Sequence, residues 1–288
     1  MRPALNVSAA GLPVLALLVA MTSVQSGASL AKQLFAPLSA PGTTAMRLLF
    51  ASLILLAVSR PWRHRLTAAQ VSAVGLYGCS LGMMNLTFYF ALERIPLGVA
   101  VALEFSGPLS VALLASRRLS DLGAALLAAC GIVLLMPREV GMAQLDPWGV
   151  AWALLAGGGW AGYIVFGKRA GALLPGGLVT SIGMLVATCA VLPFGVQAAG
   201  WSLLRWELYP LCFGVAALSS ALPYSLEMWA LQRLPTQRFG LLMSLEPLVA
   251  TLCGWALLHE QLSAAQGLAI GLIVCATACS SLSSRPQA

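Results

Sequence analysis

The chain has 288 residues, of which 59% are hydrophobic and 9% charged, with a formal net charge of +7. A soluble domain carries roughly 25% charged residues, so a water-soluble globular enzyme of this length is excluded. A mean hydropathy of +0.89 excludes disorder as well. What remains is an all-α, polytopic membrane protein.

Apolar runs fall at 12–31, 41–58, 70–91, 97–115, 121–136, 147–166, 176–197, 208–230, 238–257 and 264–283. A span needs roughly 20 apolar residues, so these read as ten transmembrane helices with no room for a soluble domain. The first run is longer than a signal-peptide core of about 7–15 residues. It continues through polar Gln25 and Ser26 to Lys32, and reads as an uncleaved first span.

Taken in chain order, the polar residues inside these runs each need a reason. Gln25 and Ser26 interrupt the first span, and Arg47 lies inside the second. An arginine at mid-bilayer costs roughly 2.5–3.5 kcal/mol on insertion scales. Two placements are open for it: snorkelling to the outer surface, or facing a pore to pair with a carboxylate of the protein or the substrate. In the third span Asn85 and Tyr89 share a helix face at a spacing of four.

Glu104 lies seven residues into the fourth span, four before Pro108. Proline has no N–H for the carbonyl four residues back, so a carboxylate stands beside a freed backbone acceptor. Gly157, Gly158 and Gly159 in the sixth span suit close helix packing, or a substrate's approach to the backbone. Gly78 and Gly82, and Gly267 and Gly271, have small-xxx-small spacing. In the eighth span Tyr224 and Glu227 share a face, and in the ninth Ser244 and Glu246 precede Pro247. Polar groups in lipid must be satisfied within the protein, so these faces turn inward, as a substrate or proton path or as polar ties between helices.

The seven cysteines all lie in apolar segments, without a C-x-x-C pair, and read as small packing residues. His64 and His259 sit at loop edges, no H-E-x-x-H or Walker pattern occurs, and the G-x-S-x-G spacing from Gly78 to Gly82 lies inside an apolar run and not on the strand-to-helix turn that a nucleophile would need. No enzyme chemistry, metal or cofactor is expected, and the scattered basic residues do not form a nucleic-acid patch.

Basic residues set the orientation. With the N-terminus in the cytoplasm, eleven lie inside: Arg2, Arg60, Arg63, Arg65, Arg117, Arg118, Lys168, Arg169, Arg233, Arg238 and Arg285. Four lie outside: Lys32, Arg94, Arg138 and Arg205. This positive-inside bias puts both termini in the cytoplasm. Trp62, Trp148, Trp201 and Trp206 fall near the predicted interfaces, as an aromatic belt would.

The chain repeats itself. The hexapeptide from Ala91 to Pro96 recurs, with conservative changes, from Ala230 to Pro235, an offset of 139. A second proline follows in register in each copy (Pro108 and Pro247), and Lys32 matches Lys168. The chain thus divides into two five-helix repeats, 12–137 and 147–284. An odd number of spans inverts the second repeat relative to the first, which is the plan of an alternating-access transporter with a midplane site.

Two five-span halves of this size resemble the drug/metabolite transporter superfamily with its tandem EamA-type repeats. The stretches from Ala20 to Lys32, Ile95 to Pro108, Ser220 to Met228, Arg233 to Thr236 and Phe239 to Pro247 are similar, more narrowly, to bacterial threonine/homoserine exporters. The resemblance implies a bacterial inner-membrane exporter of small amino acids and their analogues. Another small metabolite or a drug-like compound on the same fold is the alternative. An amino acid carries both charges. Glu104, Glu227 or Glu246 would then meet its ammonium, Arg47 or a helix N-terminus its carboxylate, and one buried acid would exchange a proton for substrate. The partners expected are the amino acid, protons and the lipid bilayer, with the oligomeric state open.

Overall fold

The structure, a computed structural model, describes residues 7–95, 97–115, 119–135, 145–243, 245–246, 248–249, 268–269, 271–272 and 275. All regular structure among them is helical. The helices are α1 (Val7–Ser59), α2 (Ala68–Leu92), α3 (Leu97–Glu104), α4 (Ser106–Ala115), α5 (Leu119–Leu135), α6 (Pro147–Leu173), α7 (Gly176–Ala199), α8 (Tyr209–Ala216), α9 (Leu222–Arg233) and α10 (Thr236–Leu242). Five helical stretches are long and apolar enough to cross a bilayer: Gln33–Arg63, Ala68–Leu92, Pro147–Leu173, Gly176–Leu204 and Trp206–Arg233. Gly11–Gly27 and Val99–Ala115 are shorter apolar helices.

Large apolar side chains such as Leu12, Val58, Leu114, Val133 and Phe213 face outward. Such a surface is stable only where the solvent is hydrocarbon. Trp62, Trp148, Trp201 and Trp206 are all exposed, at or just beyond helix ends.

The first two predicted spans form one continuous helical stretch, α1, broken only at Ser39, whose φ of 59° is left-handed. Pro37 and Pro41 flank it, and each removes a helical N–H where the chain turns. The two arms share a core cluster, in which Leu34 and Leu38 meet Met46, and Ser23 Oγ of the first arm donates to the Leu218 carbonyl. The second arm runs along α7, where Thr188 Oγ1 donates to the Leu48 carbonyl and Ser59 Oγ to that of Gly177.

Because lipid tails are as apolar as leucine, close backbone approach must hold these helices together. A β-carbon on Gly78 would stand 2.6 Å from the Gly183 carbonyl oxygen, and one on Gly82 would stand 3.2 Å from the Cα of Ala187. The spacing read in the sequence is thus the α2–α7 contact. In α6, Gly157 lies against the carbonyl of Glu104 and Gly159 against Met84, whereas Gly158 meets nothing within 4 Å. Two of the three glycines serve packing. Gly271 meets nothing within 4 Å among the described residues, and Gly267 lies outside them.

Two helices break where the sequence places prolines. The fourth predicted span splits at Phe105 into α3 and α4, one turn before Pro108. Met243 follows Glu104 by the same 139 residues, and there α10 ends. Pro247 and Ser244 lie outside the described residues. A third irregularity has no signal in the apolar pattern: Ala217–Ala221 form a π-helical turn between α8 and α9. Pro223 explains it, since it offers no N–H to the Ser219 carbonyl and the ladder slips by one residue. The Leu222 N–H then reaches back to the Ala217 carbonyl. One extra residue turns the following helix face by about 100°, which sets where Tyr224 and Glu227 point.

At their C-terminal ends α6 and α9 cap each other. Lys168 Nζ donates to the carbonyls of Leu231 and Leu234, both at 2.5 Å. In return Gln232 Nε2 donates to those of Gly171 (2.9 Å) and Leu174 (3.1 Å). Four carbonyls at two helix ends, which have no partner within their own helices, are satisfied reciprocally. The predicted sixth span ended at residue 166. Helix α6 continues to Leu173 instead, because the long stems of Lys168 and Arg169 fit a helix end near the surface.

Candidate functional site

Arg47, on the second arm of α1, points inward and donates through Nη2 to Asn85 Oδ1 of α2. The side chain is half-buried, and its hydrogen-bond partner is an amide where the sequence reading expected a carboxylate or the outer surface. Asn85 Nδ2 donates to the Leu81 carbonyl (2.9 Å) and to the Tyr224 hydroxyl (3.5 Å). The Tyr224 oxygen accepts there and keeps its own proton to donate. Asn85 and Tyr224 stand 139 residues apart, the offset of the repeated hexapeptide. Arg47 Nε is buried and has no hydrogen-bond partner among the described residues.

Glu104 is buried at the α3–α4 break, within electrostatic reach of Arg47 and Glu246. Glu246 is half-buried and also within reach of Glu227 and Tyr224. Three carboxyl groups and one guanidinium therefore share one interior region with an amide and a tyrosine hydroxyl. Among the described residues the ion pairs are elsewhere, Arg94–Asp146 at 2.9 Å and Arg205–Glu207 at 4.0 Å, so the central charges stay near each other without direct pairing.

Glu227 is buried and accepts a hydrogen bond on Oε2 from the Tyr163 hydroxyl at 2.9 Å. Tyr163 and Tyr77 are both fully buried and escape notice in the sequence. The Tyr163 ring lies between Tyr77 (5.2 Å between centroids) and Tyr224 (5.8 Å). Gly183 makes the room, since a β-carbon there would fall 2.3 Å from the Tyr77 ring. The available signal was that all five tyrosines lie inside apolar runs, where a hydroxyl calls for a partner.

Other expected residues stand apart from this cluster. Tyr89 is buried with its ring edge-on to Phe88, and no hydrogen bond joins it to Asn85 among the described residues. Ser26 Oγ donates to the Thr22 carbonyl and lines a shallow groove of about 370 Å³ with Leu18, Val19, Thr22, Ser23 and Leu218. Gln25 is half-buried on the same arm. Among the described residues no group of three His, Cys, Asp or Glu converges to hold a metal ion.

The EamA-like transporter family matches residues 147–282. The threonine/homoserine exporter RhtA of Escherichia coli (strain K12) is 49% identical over 276 residues, covering 96% of this chain and 93% of the relative. RhtA of Salmonella typhimurium (strain LT2) matches to the same extent. This chain belongs to the EamA-like transporter family. A crystal structure with 19% identity superposes on this EamA-like transporter with a TM-score of 0.75, covering 98% of this chain and all of the other, which supports the fold. The ten-helix, all-α membrane architecture expected from the apolar runs holds for this EamA-like chain. Its central cluster is thus the polar interior of a membrane transporter.

Proposed function

We propose that this transporter exports small amino acids such as threonine and homoserine across the bacterial inner membrane, with both termini in the cytoplasm. The carrying observation is the buried cluster of both charge signs around Arg47, Asn85, Tyr224 and the three glutamates. A zwitterion needs an anionic partner for its ammonium and a cationic one for its carboxylate. The unpartnered Nε of Arg47 is a donor for the carboxylate, and the glutamates are acceptors for the ammonium. The names of the 49%-identical relatives supply the substrate class.

The transport cycle is alternating access between two inverted repeats, 12–137 and 147–284. In support, residues at the same place in both copies meet at Asn85 and Tyr224. Residues exchanged by a two-fold axis touch only close to that axis, so the cluster lies where both conformations retain it. The matching breaks at Glu104 and Met243 favour the same plan. Proton exchange rests on carboxylates crowded without direct counterions, since one proton relieves their mutual repulsion and a bound ammonium does the same.

The test is efflux and growth under excess homoserine, threonine and toxic analogues, with and without the protein. Glu104→Gln is expected to lower efflux at unchanged membrane abundance. Wild-type efflux from that variant removes Glu104 from the cycle. In proteoliposomes with voltage clamped, concentrative transport that persists after the pH gradient is collapsed rules out proton exchange.

A further inference from the structure

The tyrosine–carboxylate unit has no twin in the first repeat. The 139-residue offset carries Glu227 back to Phe88, and Ala216 stands where Tyr77 would recur. Whatever this unit does, the symmetric mechanics of two matched repeats do not require it. It is nonetheless built with care. Tyr163 is 0% exposed and Glu227 7%, the bond between them is 2.9 Å, and the tyrosine ring is wedged between two others. Gly183 keeps space for the Tyr77 ring from one side, and Gly167 from the other, where a β-carbon would stand 3.2 Å from it.

We infer that Tyr163 is a positioning residue that fixes the Glu227 carboxylate so that its other oxygen receives the substrate's ammonium, making this half of the site selective for amines over hydroxyl analogues. This rests on the amino-acid reading above and specifies which acid meets the ammonium. A carboxylate has two oxygens, and a carboxylate free to rotate offers neither at a set place. Tyr163 comes from α6 and Glu227 from α9, so the bond sets the carboxylate plane from outside its own helix. With Oε2 occupied, Oε1 is the remaining acceptor. Tyr77, Tyr224 and Glu246 are the other ionisable groups within electrostatic reach of Glu227. A 2-hydroxy acid carries an uncharged hydroxyl where the amino acid carries its ammonium and gains little from such an acceptor, so losing the set carboxylate penalises the amine specifically.

The test measures transport of radiolabelled homoserine and of 2,4-dihydroxybutanoate, its hydroxyl counterpart, in proteoliposomes. Tyr163→Phe keeps the ring stack and removes only the donor. The expected result is a half-saturating homoserine concentration raised about tenfold, the effect of one charge-assisted hydrogen bond, with maximal rate little changed. Dihydroxybutanoate transport should shift less than threefold. Glu227→Gln keeps an oxygen that accepts from Tyr163 and removes the charge. It should abolish the preference for homoserine, and adding Tyr163→Phe to it should change nothing further. If both variants lower the thermal midpoint while the half-saturating concentrations and the selectivity stay at wild type, the bond is only a tie between α6 and α9 and the inference is wrong. If Glu227→Gln transports homoserine normally while Glu104→Gln does not, the inference fails and the amino-acid reading survives. If wild-type protein moves neither compound nor threonine, both fail together.

Discussion

Lys168→Met probes what holds α6 to α9. Methionine keeps the apolar stem of the half-buried lysine and deletes the ammonium that bridges the carbonyls of Leu231 and Leu234. A hydrogen bond to a charged group contributes roughly 1.5–3 kcal/mol net, so two set an upper limit of about 6 kcal/mol. The site is at a helix end where water can reach the freed carbonyls, and most of that is recovered, leaving a loss of about 2 kcal/mol. Gln232→Ala removes two neutral bonds, at 2.9 and 3.1 Å, and should cost about 1 kcal/mol by the same reasoning. The two residues cap opposite ends of one contact, so the double variant should lose less than the sum, with a coupling of about 0.5–1 kcal/mol. Reversible unfolding in mixed micelles, on all four proteins, measures these differences. Lys168→Met unfolding within about 0.5 kcal/mol of wild type would show that water serves those carbonyls equally well, and strict additivity would show two unrelated bonds and no reciprocal cap.

Two further outcomes concern the packing and the start of α6. A β-carbon on Gly107 would lie 2.0 Å from the backbone oxygen of Gly157, whereas one on Gly158 meets open space. Gly107→Ala should therefore lose folded yield and several degrees of thermal midpoint, while Gly158→Ala should be neutral or gain up to about 1 kcal/mol from helix propensity. At the start of α6, Arg94 holds the Asp146 carboxyl below the usual carboxylate range, helped by the Trp148 N–H at 2.9 Å. A folded-state value below the unfolded one stabilises the helix start at all pH above roughly 4, and the benefit disappears only as pH falls through the depressed value. Arg94→Ala should raise the Asp146 midpoint followed by carbon-13 NMR, and an unmoved midpoint would assign the effect to the backbone alone.

Much of the site was legible because lipid makes polar residues conspicuous. Arg47, Asn85, Glu104, Tyr224, Glu227 and Glu246 each interrupt an apolar run, and in hydrocarbon such a group must turn inward. The structure brings these six together. Tyr163 and Tyr77 were missed because tyrosine is amphipathic, and a single one in an apolar span is as compatible with packing as with a site. Tyr89 shares a helix face with Asn85 yet takes no part in its bonds, since a spacing of four sets a shared side and not a shared partner. The gap read between the first two spans is helical except at Ser39. The flanking prolines marked the turn, but hydropathy alone could not say that it occupies one residue. The π-helical turn at 217–221 escaped for a related reason: Pro223 was visible, but whether a proline bends, breaks or bulges its helix depends on what packs against it.

Stability does not explain the central cluster. Arg47, Glu104, Glu227 and Glu246 each cost roughly 2.5–3.5 kcal/mol to place at mid-bilayer on insertion scales, about 10–14 kcal/mol together. That is comparable to the whole stability of an ordinary domain. Polar ties between membrane helices return about 0.6 kcal/mol per bond on average. The bonds among Arg47, Asn85, Tyr224, Tyr163 and Glu227 thus recover only a small part of the cost. Well-packed apolar side chains of similar volume would serve the fold as well or better. The same protein joins its helices elsewhere without charge, through Gly78, Gly82, Gly157 and Gly159, so its architecture does not depend on buried ions. Under the amino-acid export proposed above, charges kept at this expense in the interior, beside two residues 139 positions apart, find their reason in a polar cargo that must meet partners there as it crosses.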